Sequence, residues 1–408
     1  MRLRLRPAYV AGLVAFAVIA LFSHLRASPY NNYVLLAQAF LHGRVWIDWP
    51  GTYIDALPYG AGGHYYVIEA PMPALLLLPF VAIFGAHTNQ TVLAAVLAAV
   101  AIGACWELGE RFGLRRSSNA WICGFMLAGT DLLWCAVLGD VWFMAHVCAV
   151  CFTMLALVEL AGKRRAWLVA LFAACAFESR FSMVVALPVY AYLLVVLCHP
   201  QRSAGAAVTL SGASESERSR RAKGEGLASF ATVLAVVAVL WVLYNQARWG
   251  TWSDVGYTTW YHQDQVGMPT GSPFRLQYLP YQLWSFFVQA PTQLSAFPGL
   301  RPEFSGVALT WTSPALVLAL LARTPISWVV ALWVAALLTA IPNFLYYVNG
   351  FAQFGMRHAL DFEPFLVALM MLGIRDRFPA WGKALIAYSA AVGLWGCWYW
   401  LVFVRPGA

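Results

Sequence analysis

The apolar run from Ala166 to Cys198 carries Glu178, Ser179 and Arg180 near its middle. It is too long for one crossing of a bilayer, because about 20 residues of helix already span the hydrocarbon. The run therefore predicts a hairpin of two membrane helices with a charged tip. Ionised side chains beside a bilayer are costly unless they pair or line a wet cavity, which makes Glu178 and Arg180 the first candidate functional residues. The competing reading is a plain interfacial turn closed by a local ion pair between them, which would stabilise little.

The rest of the chain agrees with this reading. Hydrophobic residues make up 61% and charged residues 11% of the 408, against roughly 25% charged in a soluble domain. Apolar segments near 8–25, 91–110, 119–138, 141–161, 166–178, 181–198, 227–248, 307–322, 325–347, 359–374 and 382–404 predict an all-α polytopic membrane protein. It would have about eleven transmembrane helices in a single domain covering 1–408. Placing Arg2, Arg4 and Arg6 in the cytoplasm assigns every later loop to a side and puts the C-terminus outside. Most of the 26 Lys and Arg, among them Arg111, Arg115, Arg116, Lys163, Arg164 and Arg165, then lie inside, as the positive-inside rule requires. Topology thus accounts for the net charge of +8, and no nucleic-acid partner is called for. Acidic residues contribute little to orientation, so their gathering on the outer side is read as the footprint of chemistry.

The basic start before Ala8 to Phe22 lacks a small-x-small cleavage site and is read as a retained first helix. Cysteines lie almost entirely in apolar spans and imply no disulfide framework, so the Cys148-x-x-Cys151 spacing is read as packing. A first outer loop, 26–87, is expected to hold an interfacial helix over NNYVLLAQAFLHG, with Tyr33, Leu36, Ala37, Phe40 and Leu41 on one stripe. Pro73 to Gly85 is too short for a crossing and is kept on the outer side. Residues 201–226 are expected to be a flexible cytoplasmic loop. A second outer loop, 250–306, should contain a short amphipathic helix around Leu279 to Ala290 and aromatics suited to headgroups or sugar rings.

In this topology the outer helix ends bring Asp48, Asp55, Glu69, Asp140, His146, Glu178, Arg180, Asp254, Arg357, His358 and Asp361 to one compartment. Attack by a hydroxyl on a sugar carbon bearing a lipid phosphate needs a carboxylate to take the proton and cations or donors to hold the leaving phosphate. FAQFGMRHALDFEPF, from Phe351 to Phe365, is the best phosphate candidate, since the planar fork of Arg357 matches phosphate oxygens and His358 follows it. Its competing reading is an Arg357 to Asp361 pair at i, i+4 spacing. Asp55 is the first choice for the base, with Asp48, Glu69 and Asp140 as competitors. No H-E-x-x-H, Walker loop, dinucleotide fingerprint or zinc-spaced Cys/His set occurs, and no motif stands behind a divalent metal.

Six stretches carry a family likeness across nearly the whole chain. They are YVLLAQAFLHGRVWID with the following Asp55 and GHYYVIEAPMPALLLLPFVAIFG, then LGDVWFMAHVCAV, FESRFSMVVALP, LYNQARWGTWSDVGY, LTWTSPALVLALL and QFGMRHALDFEPFLVAL. In this order they resemble the bacterial GT-C glycosyltransferases of the protein-mannosyltransferase-like group. The resemblance implies a polyprenyl-phosphate-linked sugar as donor, an active site on the non-cytoplasmic face of a bacterial plasma membrane, and an essential acid in the first outer loop. Asp55 falls at the aspartate ahead of the aromatic-and-proline motif, Arg357 at the arginine near the start of a late helix, and Arg180 at the arginine of the broken hairpin. One departure matters: many relatives carry an acidic pair after the first span, where this chain has Ser28, Pro29, Tyr30, Asn31 and Asn32. Asparagine cannot act as a base, so Asp55 or Asp48 serves, or the activity is altered.

The resulting expectation is an inverting transferase passing a sugar from the lipid carrier to a hydroxyl of a glycan, lipid or protein. Asp55 would take the proton. Arg357, Arg180 and His358 would hold the phosphate, while Tyr66, Glu69, Asp140, His146, Glu178 and Asp361 would orient sugar or acceptor. A flippase for lipid-linked sugars would show repeated halves and a midplane site, neither of which is evident. A noncatalytic scaffold with the same fold is the third alternative.

Overall fold

In the computed structural model, residues 6–48, 56–60, 62–197, 212–264 and 269–405 are described, 212–223 as backbone alone. In chain order the elements are α1 (Pro7–Ser23), α2 (Asn32–Leu41), β1 (Ala56–Pro58), β2 (Tyr65–Val67), α3 (Met72–Phe84), α4 (Gln90–Arg111), α5 (Arg116–Ala128), α6 (Leu132–Leu138), α7 (Val141–Ala161), α8 (Ala166–Phe177) and α9 (Leu187–Leu197). There follow α10 (Gly212–Trp249), α11 (Gly256–Gln263), α12 (Leu279–Phe287), β3 (Thr292–Gln293), β4 (Leu300–Arg301), α13 (Leu309–Thr312), α14 (Ile326–Leu345), α15 (Glu363–Ile374) and α16 (Ala380–Tyr399). Helix dominates because it pairs every backbone N–H and C=O locally, as hydrocarbon surroundings demand.

Among the described residues, five helices are long and apolar enough to cross a membrane: α4, α7, Gly224–Trp249 of α10, α14, and α16 with its π-helical end to Val404. Counting α5 and α6 as one span, bent by 50°, makes six. All eleven expected segments contain helix, but the other five are shorter or broken, so length supports about half of the expected crossings. The breaks have local causes. The hairpin of Ala166 to Cys198 unwinds at Arg180, whose backbone is extended at φ −145°. Segment 307–322 ends its α-helix before Pro314 and continues as a 3₁₀ stretch, since proline disfavours helix in the residue before it. Segment 359–374 begins with 3₁₀ geometry over Arg357–Asp361 and becomes α-helical only at Glu363.

The packing is compatible with an all-α membrane protein. Helix α7 is buried on nearly all sides, against α4, α6, α8 and the Arg357–Asp361 segment. Helix α10 is largely the opposite: Val236, Val239, Leu240 and Leu243 are exposed, and burial among its described side chains is confined to Phe230 and the last turn, with Asn245, Arg248 and Trp249. Helix α14 divides by face. Val330, Val334, Leu337 and Ile341 point outward, while Leu332, Ala335, Thr339 and Asn343 point inward. Apolar stripes outside with a polar minority inside suit lipid contact, whereas in water such stripes would be adhesive.

Small residues let these helices approach closely. A Cβ on Gly12 would meet the Ala99 carbonyl oxygen at 2.9 Å, and one on Gly103 would meet that of Ala8 at 3.1 Å, so α1 and α4 touch backbone to backbone. The closest approach joins α16 to α5, where a Cβ on Gly393 would lie 1.9 Å from the Ala128 oxygen. We expect Gly393→Ala to separate these helices at a cost of about 1–3 kcal/mol. Gly124→Ala, whose Cβ would meet nothing within 4 Å, should be neutral or slightly stabilising. Melting curves of the two variants in one detergent check this, and equal melting would refute the contact.

Three loop expectations change. Helix α2 is not a half-exposed interfacial helix: Asn32, Tyr33, Val34, Leu36 and Ala37 are all buried, because α3 and β2 cover it. Residues 212–226 continue α10 as helix, while 198–211 lie outside the described residues. The amphipathic helix of the second outer loop ends at Phe287, short of the expected Ala290.

Candidate functional site

Four helix ends meet at one carboxylate. Asp361, 1% exposed, lies just before α15. It accepts hydrogen bonds from His146 Nδ1 of α7 at 3.2 Å, from Arg180 Nε and Nη2 at the hairpin tip at 3.2 and 3.1 Å, from Ser182 Oγ at 2.5 Å, and from Asn343 Nδ2 near the end of α14 at 3.0 Å. His358 Nδ1 lies 3.1 Å from both Arg180 Nη2 and Asn343 Oδ1, and its ring stands edge-on to that of His146 at 5.2 Å. The ion pair of Asp361 is therefore with Arg180, 181 residues away, and the bidentate geometry is that of a strong pair. Irregular backbone at Arg180 and Arg357–Asp361 is what delivers these side chains, and it is tolerated where protein buries it.

Arg357 sits beside this cluster. Its guanidinium lies over the Phe143 ring at 5.4 Å and acts electrostatically on Asp131, Asp140, His146 and His358. The loop before it is pinned by Gln353 Nε2, which donates to the backbone oxygens of Ser305 at 2.7 Å and Asn349 at 2.8 Å. Gly350 is required there: its φ is +108°, and a Cβ would meet Arg357 Cζ at 3.0 Å.

A second cluster ties the segment between α1 and α4 to the end of α10. Arg248, 3% exposed, donates to Val67 O at 3.0 Å, Asn245 Oδ1 at 2.8 Å and Asp254 Oδ2 at 3.1 Å, and stacks on Tyr244 at 4.1 Å. Buried Glu69 follows the β2 strand that Arg248 holds, and Glu178 lies within electrostatic reach of Arg248 and Asp254. The tip acids and bases of the hairpin thus part company, Arg180 to Asp361 and Glu178 toward Arg248, which replaces the local pair weighed from sequence. Tyr33 on α2 bridges the two regions. Burial and nearby Glu69 hold its phenol above its ordinary value, with Arg180 opposing.

The remaining expected residues fall differently. Asp55 lies outside the described residues; its chain neighbour Ala56 opens β1 and pairs with Val67, two residues before Glu69. Asp48 is 88% exposed and only 3.9 Å from Arg44, so it is a surface carboxylate away from the buried groups. Asp140 is fully buried, and its two oxygens accept from Ser28 Oγ at 2.6 Å and Arg405 Nη1 at 2.7 Å. Tyr66 packs against Trp249 at 5.3 Å and edge-on to Tyr59 at 6.4 Å, which makes it a support of the hairpin. His146 has no exposed side-chain surface and serves the network from inside.

Sequence reasoning missed Ser182, Asn343, Arg248 and Arg405, and also the buried acids Asp131 and Glu363. Each is a polar residue in or beside an apolar segment, which was the available signal. Among the described residues, neither Glu363 oxygen and not Asp131 Oδ2 has a hydrogen-bond partner. No group of three or more His, Cys, Asp or Glu arranged for a metal occurs among the described residues.

No family model, curated protein or solved structure matches this chain.

Proposed function

We propose that the chain is an integral-membrane glycosyltransferase with about eleven transmembrane helical segments that moves a sugar from a polyprenyl-phosphate carrier to an acceptor hydroxyl at the outer face. One observation carries this reading: Arg357 lies against a buried Arg, His and carboxylate cluster that joins the start of α7, the hairpin tip, the end of α14 and the start of α15. These four ends share one membrane side in the positive-inside topology. A guanidinium beside that cluster suits a leaving phosphate, and a carboxylate, Glu69 just after β2 or Asp55 outside the described residues, suits the acceptor proton.

Purified protein in nanodiscs would be given radiolabelled polyprenyl-phosphate sugars and a panel of acceptors. We expect transfer by wild type, a loss of about 10²–10³-fold in Arg357→Ala and of about 10²–10⁴-fold in Asp55→Asn. Full transfer by both variants would overturn the site. The engagement of Asp140 and Asp361 by protein donors favours a second reading, a noncatalytic scaffold, and a folded wild type inert with every donor would select it.

A further inference from the structure

Two histidines flank Asp361, and their hydrogen bonds require opposite tautomers. His146 Nδ1 faces a carboxylate oxygen at 3.2 Å, which can only accept, so this nitrogen carries the proton and Nε2 is left as a lone pair. His358 Nδ1 has conflicting neighbours, Arg180 Nη2 and Asn343 Oδ1, each at 3.1 Å. The amide cannot be turned to resolve the conflict, because its Nδ2 already donates to Asp361 Oδ2 and to Thr339 O, both at 3.0 Å, and reversal would set oxygen against oxygen at both. Either tautomer leaves one buried N–H unpaired, that of Arg180 Nη2 or that of His358 Nε2, so the balance rests on the bond that is kept, and hydrogen bonds from a charged donor are about twice as strong as neutral ones. Arg180 therefore donates to His358 Nδ1, and the His358 proton sits on Nε2. Arg180 already balances the single charge of Asp361, so neither imidazole is charged.

The Nε2 edge of His358 points away from Arg180 and Asn343, on the far side of its ring. Its Nε2, like that of His146, has no hydrogen-bond partner among the described residues. The His358 Nε2 atom is buried, and the ring is flanked by the charges of Arg180 and Arg357. A fixed neutral donor between two guanidinium groups is complementary to an anionic oxygen.

We propose that Asp361 and Arg180 are positioning residues that hold the buried His358 Nε2–H free as a donor to a phosphate oxygen, with Arg357 as the accompanying cation. Arg180 is thereby assigned to the network and not to the ligand. The phosphate part rests on the proposed function, while the tautomer part does not.

The test is long-range proton–nitrogen NMR correlation on the full chain, labelled with ¹⁵N-histidine in nanodiscs, with His146→Gln and His358→Gln used to assign signals. Near neutral pH the expected result is a neutral His146 protonated on Nδ1 and a neutral His358 protonated on Nε2. Polyprenyl monophosphate should shift the His358 Nε2 resonance and leave His146 in place. Inorganic phosphate added alone reports whether the headgroup suffices or the lipid is needed. A His358 protonated on Nδ1, or charged, overturns the proposal whatever the enzyme assay gives. Correct tautomers with no shift from either phosphate overturn the ligand role of His358. Correct tautomers and a shift without sugar transfer would uphold the proposal and refute the glycosyltransferase reading alone.

Discussion

Asp361→Ala is expected to be the most damaging single substitution in the chain. The carboxylate is the common acceptor for Arg180, His146, Ser182 and Asn343, all buried or nearly so. Removing it leaves the Arg180 guanidinium, with 13% of its side chain exposed, facing no counter-charge. Breaking a buried ion pair from one side costs about 3–5 kcal/mol, and an orphaned buried donor adds about 1–3 kcal/mol; donors that share one acceptor are not additive. The apparent melting temperature, followed by tryptophan fluorescence, should fall steeply and transfer should vanish. Asp361→Ala combined with Arg180→Met should recover part of the loss, because apolar groups filling the place of a buried pair are often neutral. Melting of the single variant indistinguishable from wild type would mean that the cluster does not form.

Arg405→Ala is expected to come second, at about 3–5 kcal/mol near neutral pH, although among the described residues Arg405 pairs with Asp140 and not with the Arg180–Asp361 cluster. It donates to the fully buried Asp140, and its guanidinium covers the Tyr30 ring at 4.9 Å. Burial pushes the Asp140 carboxyl above its ordinary value, while Arg405 and Ser28 pull against that rise. Loss of Arg405 lets it rise further. A raised folded value favours the native state while the group is protonated, and that contribution is lost as pH climbs through the folded value. The deficit of Arg405→Ala should therefore be largest in neutral and alkaline buffer and shrink toward acid. Melting at about pH 5 and pH 8 with Asp140→Asn/Arg405→Ala as reference checks the sign. A deficit that grows in acid would show that Asp140 is not the partner that matters.

The helical skeleton was largely legible in the residues. Segments expected at 91–110, 141–161 and 325–347 appear as Gln90–Arg111, Val141–Ala161 and Ile326–Leu345, because uninterrupted apolar runs leave no alternative pairing for the backbone. Hydropathy registers composition and not a 3₁₀ turn, so the breaks at Ser313-Pro314, Arg180 and Arg357–Asp361 were not legible in it. In the site, His146, Arg180, His358 and Asp361 stood out as polar groups in apolar surroundings, and they do meet. Their division of labour did not stand out. Arg180, expected to hold phosphate, pairs with Asp361, and Asp140, expected to orient sugar or acceptor, pairs with Arg405. Asn343 offered a signal, a second polar residue one turn after Thr339 inside α14, whereas nothing near Arg405 pointed to Asp140.

Which segments leave water, and where a charge would be stranded beside them, follows from the order of residues alone, because transfer out of water is a property of each short stretch. Which charge meets which followed only from the packed helices. Asp361 with Arg180 and Asp140 with Arg405 are pairs separated by 181 and 265 residues, and in a low-dielectric interior a few ångströms decide whether a buried ion is neutralised or left exposed to its full desolvation cost.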